Sequence, residues 1–177
     1  MRAPGPDYSN IAEAQLRLAS ERAGVGLEVL TICVARWMEQ EPLNLLARSL
    51  HEGVVRLLQA ARRRGLRLAV FSDYPATGKL AAMGIADFFD AAVSAQDPDV
   101  QRFKPDPRGL EVTLHRLGVE KQEALYIGDR PELDGVAASR AGVTSVIIGR
   151  HRSIDGPESV EISKYQELIN ALSPKDL

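Results

Sequence analysis

The spacing of apolar positions along this chain changes character near residue 65. Before that point they recur at helical intervals. From Asn10, an N-cap by residue type, Ile11, Ala14, Leu16, Leu18 and Ala19 mark a helix running to Ala23, and residues 29–50 continue the same pattern. A further helix over 54–64 places Val54, Val55, Leu57, Leu58 and Ala61 on one side and is stopped by Gly65. Beyond it, short apolar runs at 66–71, 91–93, 124–127 and 144–148 alternate with helix-like stretches at 77–83, 107–117 and 132–141. Alternation of this kind predicts an α/β fold with a parallel sheet covered by helices on both faces. A last surface helix is expected from Ser163, another residue of N-cap type, to Leu172, with residues 173–177 fraying. The chain thus divides into a helical region, 1–65, and an α/β core, 66–177.

Composition narrows the picture. At 177 residues and 45% hydrophobic content the chain is long enough for one well-buried core. Its lone cysteine, Cys33, has no partner for an internal disulfide, which suits a reducing compartment, and the cytoplasm is the expected location. No apolar run approaches the roughly 20 residues that span a bilayer, and Met1 to Pro6 carry no hydrophobic stretch after Arg2, so neither membrane nor export is expected. A net charge of −2 provides no basic field for nucleic acid. Any phosphate this protein holds is expected to be that of a small molecule.

In an open parallel sheet ligands bind beyond the carboxyl ends of the strands, so the residues after each apolar run carry the candidate chemistry. The run ending at Phe71 leads into Ser72-Asp73, and the run ending at Ile127 leads into Gly128-Asp129, with Asp134 five residues on. Between them lies Arg102-Phe103-Lys104-Pro105-Asp106-Pro107. Ser72 is suited to donate its hydroxyl to a phosphate oxygen where the next helix begins, although a serine there, taken alone, is more often an ordinary turn residue. Lys104, stiffened by its prolines, is suited as a fixed counter-charge between phosphate and carboxylate. Glycine before Asp129 lets the backbone approach closely while the carboxylate projects as an oxygen ligand for a hard cation, Mg²⁺ being the natural one. Asp134 is expected to support the metal through a bound water, to pair with Lys104, or to complement a helix dipole.

These three segments resemble the second, third and fourth motifs of the haloacid dehalogenase superfamily. Ser72 stands at the second-motif position, Lys104 lies in a Lys-Pro-x-Pro third motif, and Gly128-Asp129 through Asp134 form Gly-Asp-x-x-x-x-Asp. The match runs from about residue 66 to 149. The resemblance implies a Rossmann-like sheet, a helical cap of which residues 1–65 would be part, and Mg²⁺-dependent hydrolysis of a small phosphorylated metabolite. Within the superfamily Gly-Asp points away from the metal-free dehalogenases. The first lysine is Lys79, so the helical region lacks an amine for the Schiff base of phosphonate cleavage.

The family's first motif, an Asp-x-Asp on a central strand between those ending here at Phe71 and Ile127, is not found. Asp97-Pro98-Asp99 has the letters but follows the run at 91–93 and reads as turn chemistry. Asp7 follows no strand, and Asp73 sits beside the Ser72 position. The expectations are therefore a shortened form of a longer protein, impaired or inactive alone; a donated strand or self-association through an open sheet edge; or, alternatively, a non-catalytic phosphate- or metal-binding module dependent on a partner. Trp37 and Met38 are expected to pack within the helical region, Arg62 to Arg64 to form a solvated helix end, and His51, His115 and His151 carry no assigned role.

Overall fold

The computed structural model describes residues 10–46, 48–51, 53–149, 159–162 and 164–172. Asp7, His151, Ser163 and residues 173–177 lie outside them.

Helix α1 (Ile11–Ala23) begins where the Asn10 side chain accepts the Glu13 amide at 3.1 Å, and it closes on Gly24 at φ 64°. Helix α2 (Leu27–Val34) runs into a π-helical turn (Ala35–Gln40), followed by the single turn α3 (Leu43–Leu46). None of these three segments buries a residue among those described. The expectation that Trp37 and Met38 pack is overturned. They are 60% and 59% exposed because none of the described elements covers them, and the Arg36 guanidinium lies over the Trp37 ring instead.

Helix α4 (Val54–Arg63) is strongly amphipathic, burying Leu57, Leu58, Ala60 and Ala61 with its arginines outward. Strand β1 (Ala69–Ser72) follows, then α5 (Thr77–Ala82), β2 (Ala91–Ser94), α6 (Arg108–Leu117) and β3 (Leu125–Gly128). A π-helical turn (Pro131–Gly135) leads into α7 (Val136–Ala141), with β4 (Thr144–Ile148), β5 (Ser159–Ile162) and α8 (Tyr165–Leu172) completing the order.

The strands form two parallel sheets. β1 pairs with β2 in the register Phe71 to Val93 and Ser72 to Ser94, and β3, β4 and β5 pair in that order, with Val146 opposite both Ile127 and Val160. Among the described residues no ladder joins β1 to β3. That gap falls where the resemblance puts the missing first strand.

The two faces of the gap differ. On one, α6 and α7 cover a continuous cluster joining Phe71, Val93, Leu110, Ala137, Ala138 and Val143, with Tyr126 of β3 packed against it. On the other, α4 and α5 cover only the β1–β2 sheet, through Leu58, Leu80, Leu68 and Val70. Leu125 and Ile127, which alternation turns to the face of β3 away from Tyr126, are left 51% and 40% exposed. Strands of a parallel sheet are ordinarily buried on both faces, so this face of β3 stands out as uncovered among the described residues.

Packing runs across the division at residue 65. Ile11 of α1 belongs to the first cluster and α4 supplies the second, so both helices are held by the α/β layer.

Candidate active site

Three loops at the carboxyl ends of β1, β2 and β3 meet around Lys104. The loop after β2 reaches the end of β1 through its backbone, where the Lys104 N–H donates to Asp73 Oδ1 at 3.0 Å. It reaches the end of β3 through its side chain, where Lys104 Nζ lies 2.7 Å from Asp134 Oδ1. This one residue therefore ties the two sheets together at a place where no strand among the described residues does.

Asp134 sits on the π-helical turn and is 3% exposed. Four donors reach its carboxylate. Oδ1 accepts from Lys104 and from the Tyr126 hydroxyl at 2.8 Å, and Oδ2 accepts the backbone N–H groups of Asp129 at 3.2 Å and Arg130 at 3.0 Å. Burial alone would raise its carboxyl, but the hydrogen bond and charge of Lys104, with the other donors, hold it below the usual carboxylate range. The same burial, with the Asp134 charge beside it, pushes the Tyr126 hydroxyl upward, so it stays protonated and donating. Gly128 is required by this packing, since a Cβ there would fall 2.5–2.8 Å from Asp134 side-chain atoms.

Beneath Lys104 lies Phe71, its ring centroid 5.4 Å from Nζ. That ring is seated by Gly109 of α6, where an added Cβ would stand 2.1 Å from it. Ser72, at the end of β1, accepts the Tyr74 N–H on Oγ at 3.3 Å. Its hydroxyl hydrogen remains available in a turn of the kind serine commonly makes. Tyr74 packs its ring near Phe103 and takes a 3.0 Å hydrogen bond from Gln15, which attaches α1 to the rim of the site.

Asp129 is exposed, and no described cation is paired with its carboxylate. Its chemistry fits Mg²⁺, which binds through one or two carboxylates while keeping waters and phosphate oxygens as its other ligands. Asp134 fits a direct ligand poorly, because both of its oxygens already accept two hydrogen bonds. The described residues contain no cluster of three His, Cys, Asp or Glu side chains placed to hold a metal.

Asp97 and Asp99 have a different occupation. Arg116 lies 3.1 Å from Asp97 Oδ2 and 2.8 Å from Asp99 Oδ1, and its guanidinium holds the Asp99 carboxyl below its usual range. They are neutralised structural carboxylates.

Sequence reasoning missed Tyr126, which looks like one letter of an apolar run, and the role of Asp73 as an anchor for the Lys104 loop. Strand alternation was the available signal, because it puts Tyr126 on the same face as Gly128, and a buried tyrosine hydroxyl needs a partner.

Comparison with known proteins agrees with this architecture. The family model described as haloacid dehalogenase-like hydrolase matches residues 10–142, and the chain belongs to that family. It is 39% identical over 110 residues to the phosphoglycolate phosphatase of Rhodospirillum rubrum, covering 60% of this chain and 44% of the relative. It is 32% identical over 129 residues to the glyceraldehyde 3-phosphate phosphatase of Methanopyrus kandleri, covering 67% and 54%. The chain spans about half the length of these curated relatives. A crystal structure of a phosphatase of the same superfamily from Thermococcus onnurineus shares the fold, with a TM-score of 0.66 at 24% identity over 90% of this chain and 91% of that one.

Proposed function

We propose that this chain carries the phosphate-holding part of a phosphomonoesterase site, acting on a small phosphorylated metabolite. The observation that supports it is the convergence of Ser72, Lys104 and Asp129 at the carboxyl ends of β1 and β3 through the Asp73–Lys104–Asp134 connection. The names of the relatives, phosphatases of small phosphate esters, support the same class.

In this reading Lys104 balances the charge of the phosphoryl oxygens, and the Ser72 hydroxyl fixes their orientation. Asp129 would hold Mg²⁺, which when bound offsets phosphoryl charge. Asp134 keeps Lys104 in place and caps the turn that presents Asp129. None of the described residues stands as a nucleophile. Asp73 is engaged with the Lys104 backbone, and Asp97 and Asp99 with Arg116. Hydrolysis then requires a carboxylate carried on a further strand between β1 and β3, from a partner or from another segment, and the described residues alone are impaired or inactive.

A second reading, a binding module without turnover, is favoured by the same lack of a placed nucleophile. Two measurements test the site that both readings share: inorganic phosphate binding with and without Mg²⁺, and phosphate release from a panel of monoesters, each beside Asp129→Asn. Turnover gained on adding a strand that carries the carboxylate would favour the first reading over the second. Mg²⁺-dependent phosphate binding that is lost in Asp129→Asn is expected. Turnover by the parent chain alone would overturn the added-strand requirement, and lack of any phosphate binding would overturn both readings.

A further inference from the structure

We propose that Tyr126 is the positioning residue that aims the Lys104 ammonium, so that one of its three N–H bonds is left pointing at a ligand. This deepens the phosphate-site reading and rests on it for the identity of that ligand.

A lysine ammonium is a point charge on a flexible stem with three donors and no preferred direction of its own. Here two of the three donors are taken by acceptors that are bonded to each other: Asp134 Oδ1 at 2.7 Å and the Tyr126 hydroxyl at 3.3 Å, with that hydroxyl in turn donating to the same Oδ1 at 2.8 Å. The three atoms close a triangle. The Phe71 ring bounds the ammonium on a further side. With Asp134 alone the nitrogen could turn about a single contact; the second acceptor fixes the rotation. Tyr126 is itself held rigidly, packed into the cluster under α6 and α7, and β3 gives it no freedom to follow the lysine. The cost of ordering a long side chain is thus met in the folded protein before any ligand arrives, which is the condition under which a fixed charge binds better than a mobile one.

The test reads Lys104 directly and needs no turnover. The chain has five lysines, so the ammonium resonance of Lys104 can be assigned in a ¹H–¹⁵N spectrum by its disappearance in Lys104→Arg. In the parent this signal is expected to be sharp and slowly exchanging, and in Tyr126→Phe to broaden or vanish while the other lysine signals and the amide spectrum persist. A purely packing role for Tyr126 would lower stability and leave the Lys104 signal in place, which would overturn the proposal, as would a parent in which Lys104 gives no such signal. Should Tyr126→Phe not fold, the parent carries the decision by itself: a slowly exchanging Tyr126 hydroxyl proton in contact with the Lys104 ammonium is required, and its absence is fatal. Titration with inorganic phosphate and Mg²⁺ forms the separate arm. A shift of the Lys104 signal in the parent, with phosphate bound about tenfold more weakly by Tyr126→Phe, is expected from the loss of one hydrogen bond to a charged group. A Lys104 signal that is held by Tyr126 yet indifferent to phosphate would sink the phosphate reading and leave the positioning geometry intact.

Discussion

Asp134 shows how one carboxylate becomes structural inside a candidate active site. Its folded-state carboxyl lies below the ordinary 3.8, so its contribution to stability is full above about pH 4 and is lost as the pH falls through the lowered folded value. Asp134→Asn is expected to cost ~2 kcal/mol at neutral pH, the size of losing hydrogen bonds to a charged partner, with the difference from the parent shrinking below about pH 4. Thermal unfolding followed across that range checks it, and a difference that stays constant with pH would refute the pairing. Gly109 acts on the same lysine from the other side. Gly109→Ala would place a methyl 2.1 Å from the Phe71 ring, so the ring must move and the support under Lys104 moves with it. The expected cost is ~1–3 kcal/mol, a drop of about 5 °C in the melting temperature, accompanied by weaker phosphate binding.

At the scale of elements, what could be read in the sequence follows from how much each segment depends on its neighbours. Helices α1 and α4 carry their own signals, an Asn10 cap and a Gly65 stop with a clean apolar stripe, and they form where those signals put them. β1 is set by its partner instead. The apolar run starts at Leu66, yet the ladder with β2 opens at Ala69 and continues through Ser72, because pairing rather than hydrophobicity defines a strand. β5 escaped notice for the same reason: Ser159–Ile162 has no apolar run and is a strand because β4 offers it an edge. The stretch at 132–141 was legible as helical but not as a π-helical turn followed by α7, a widening that accompanies the burial of Asp134. Ser72 and Asp129 stood out because hydroxyl and charged residues at the ends of apolar runs are conspicuous, Lys104 because Phe103 and two prolines flank it, and Asp134 by its spacing from Asp129. Tyr126 did not, since its function resides in one oxygen at the end of a ring that otherwise behaves as core.

Among the described residues the molecule is two sheets held together without a shared ladder. The cluster under α6 and α7 spans the gap on one face, α8 packs on α4, and the loops around Lys104 tie the carboxyl ends. What is left open is a pair of unpaired strand edges beside exposed Leu125 and Ile127, which is a template for pairing with another chain. A second apolar surface competes with it, the face of α2 and the following turn that exposes Val29, Ile32, Trp37 and Met38. The two make opposite predictions for association in solution. If the open edge governs it, Leu125→Lys with Ile127→Lys should abolish concentration-dependent association in sedimentation velocity, because a lysine on an edge strand opposes pairing at little cost to a side chain already in water. Val29→Lys with Ile32→Lys should then leave association unchanged. The reverse result would assign self-contact to the helical face and leave the gap between β1 and β3 to a strand of different origin. The edge is the expected answer, since it sets unpaired strand groups that template a partner strand beside the exposed apolar side chains of Leu125 and Ile127, and pairing there satisfies both at once.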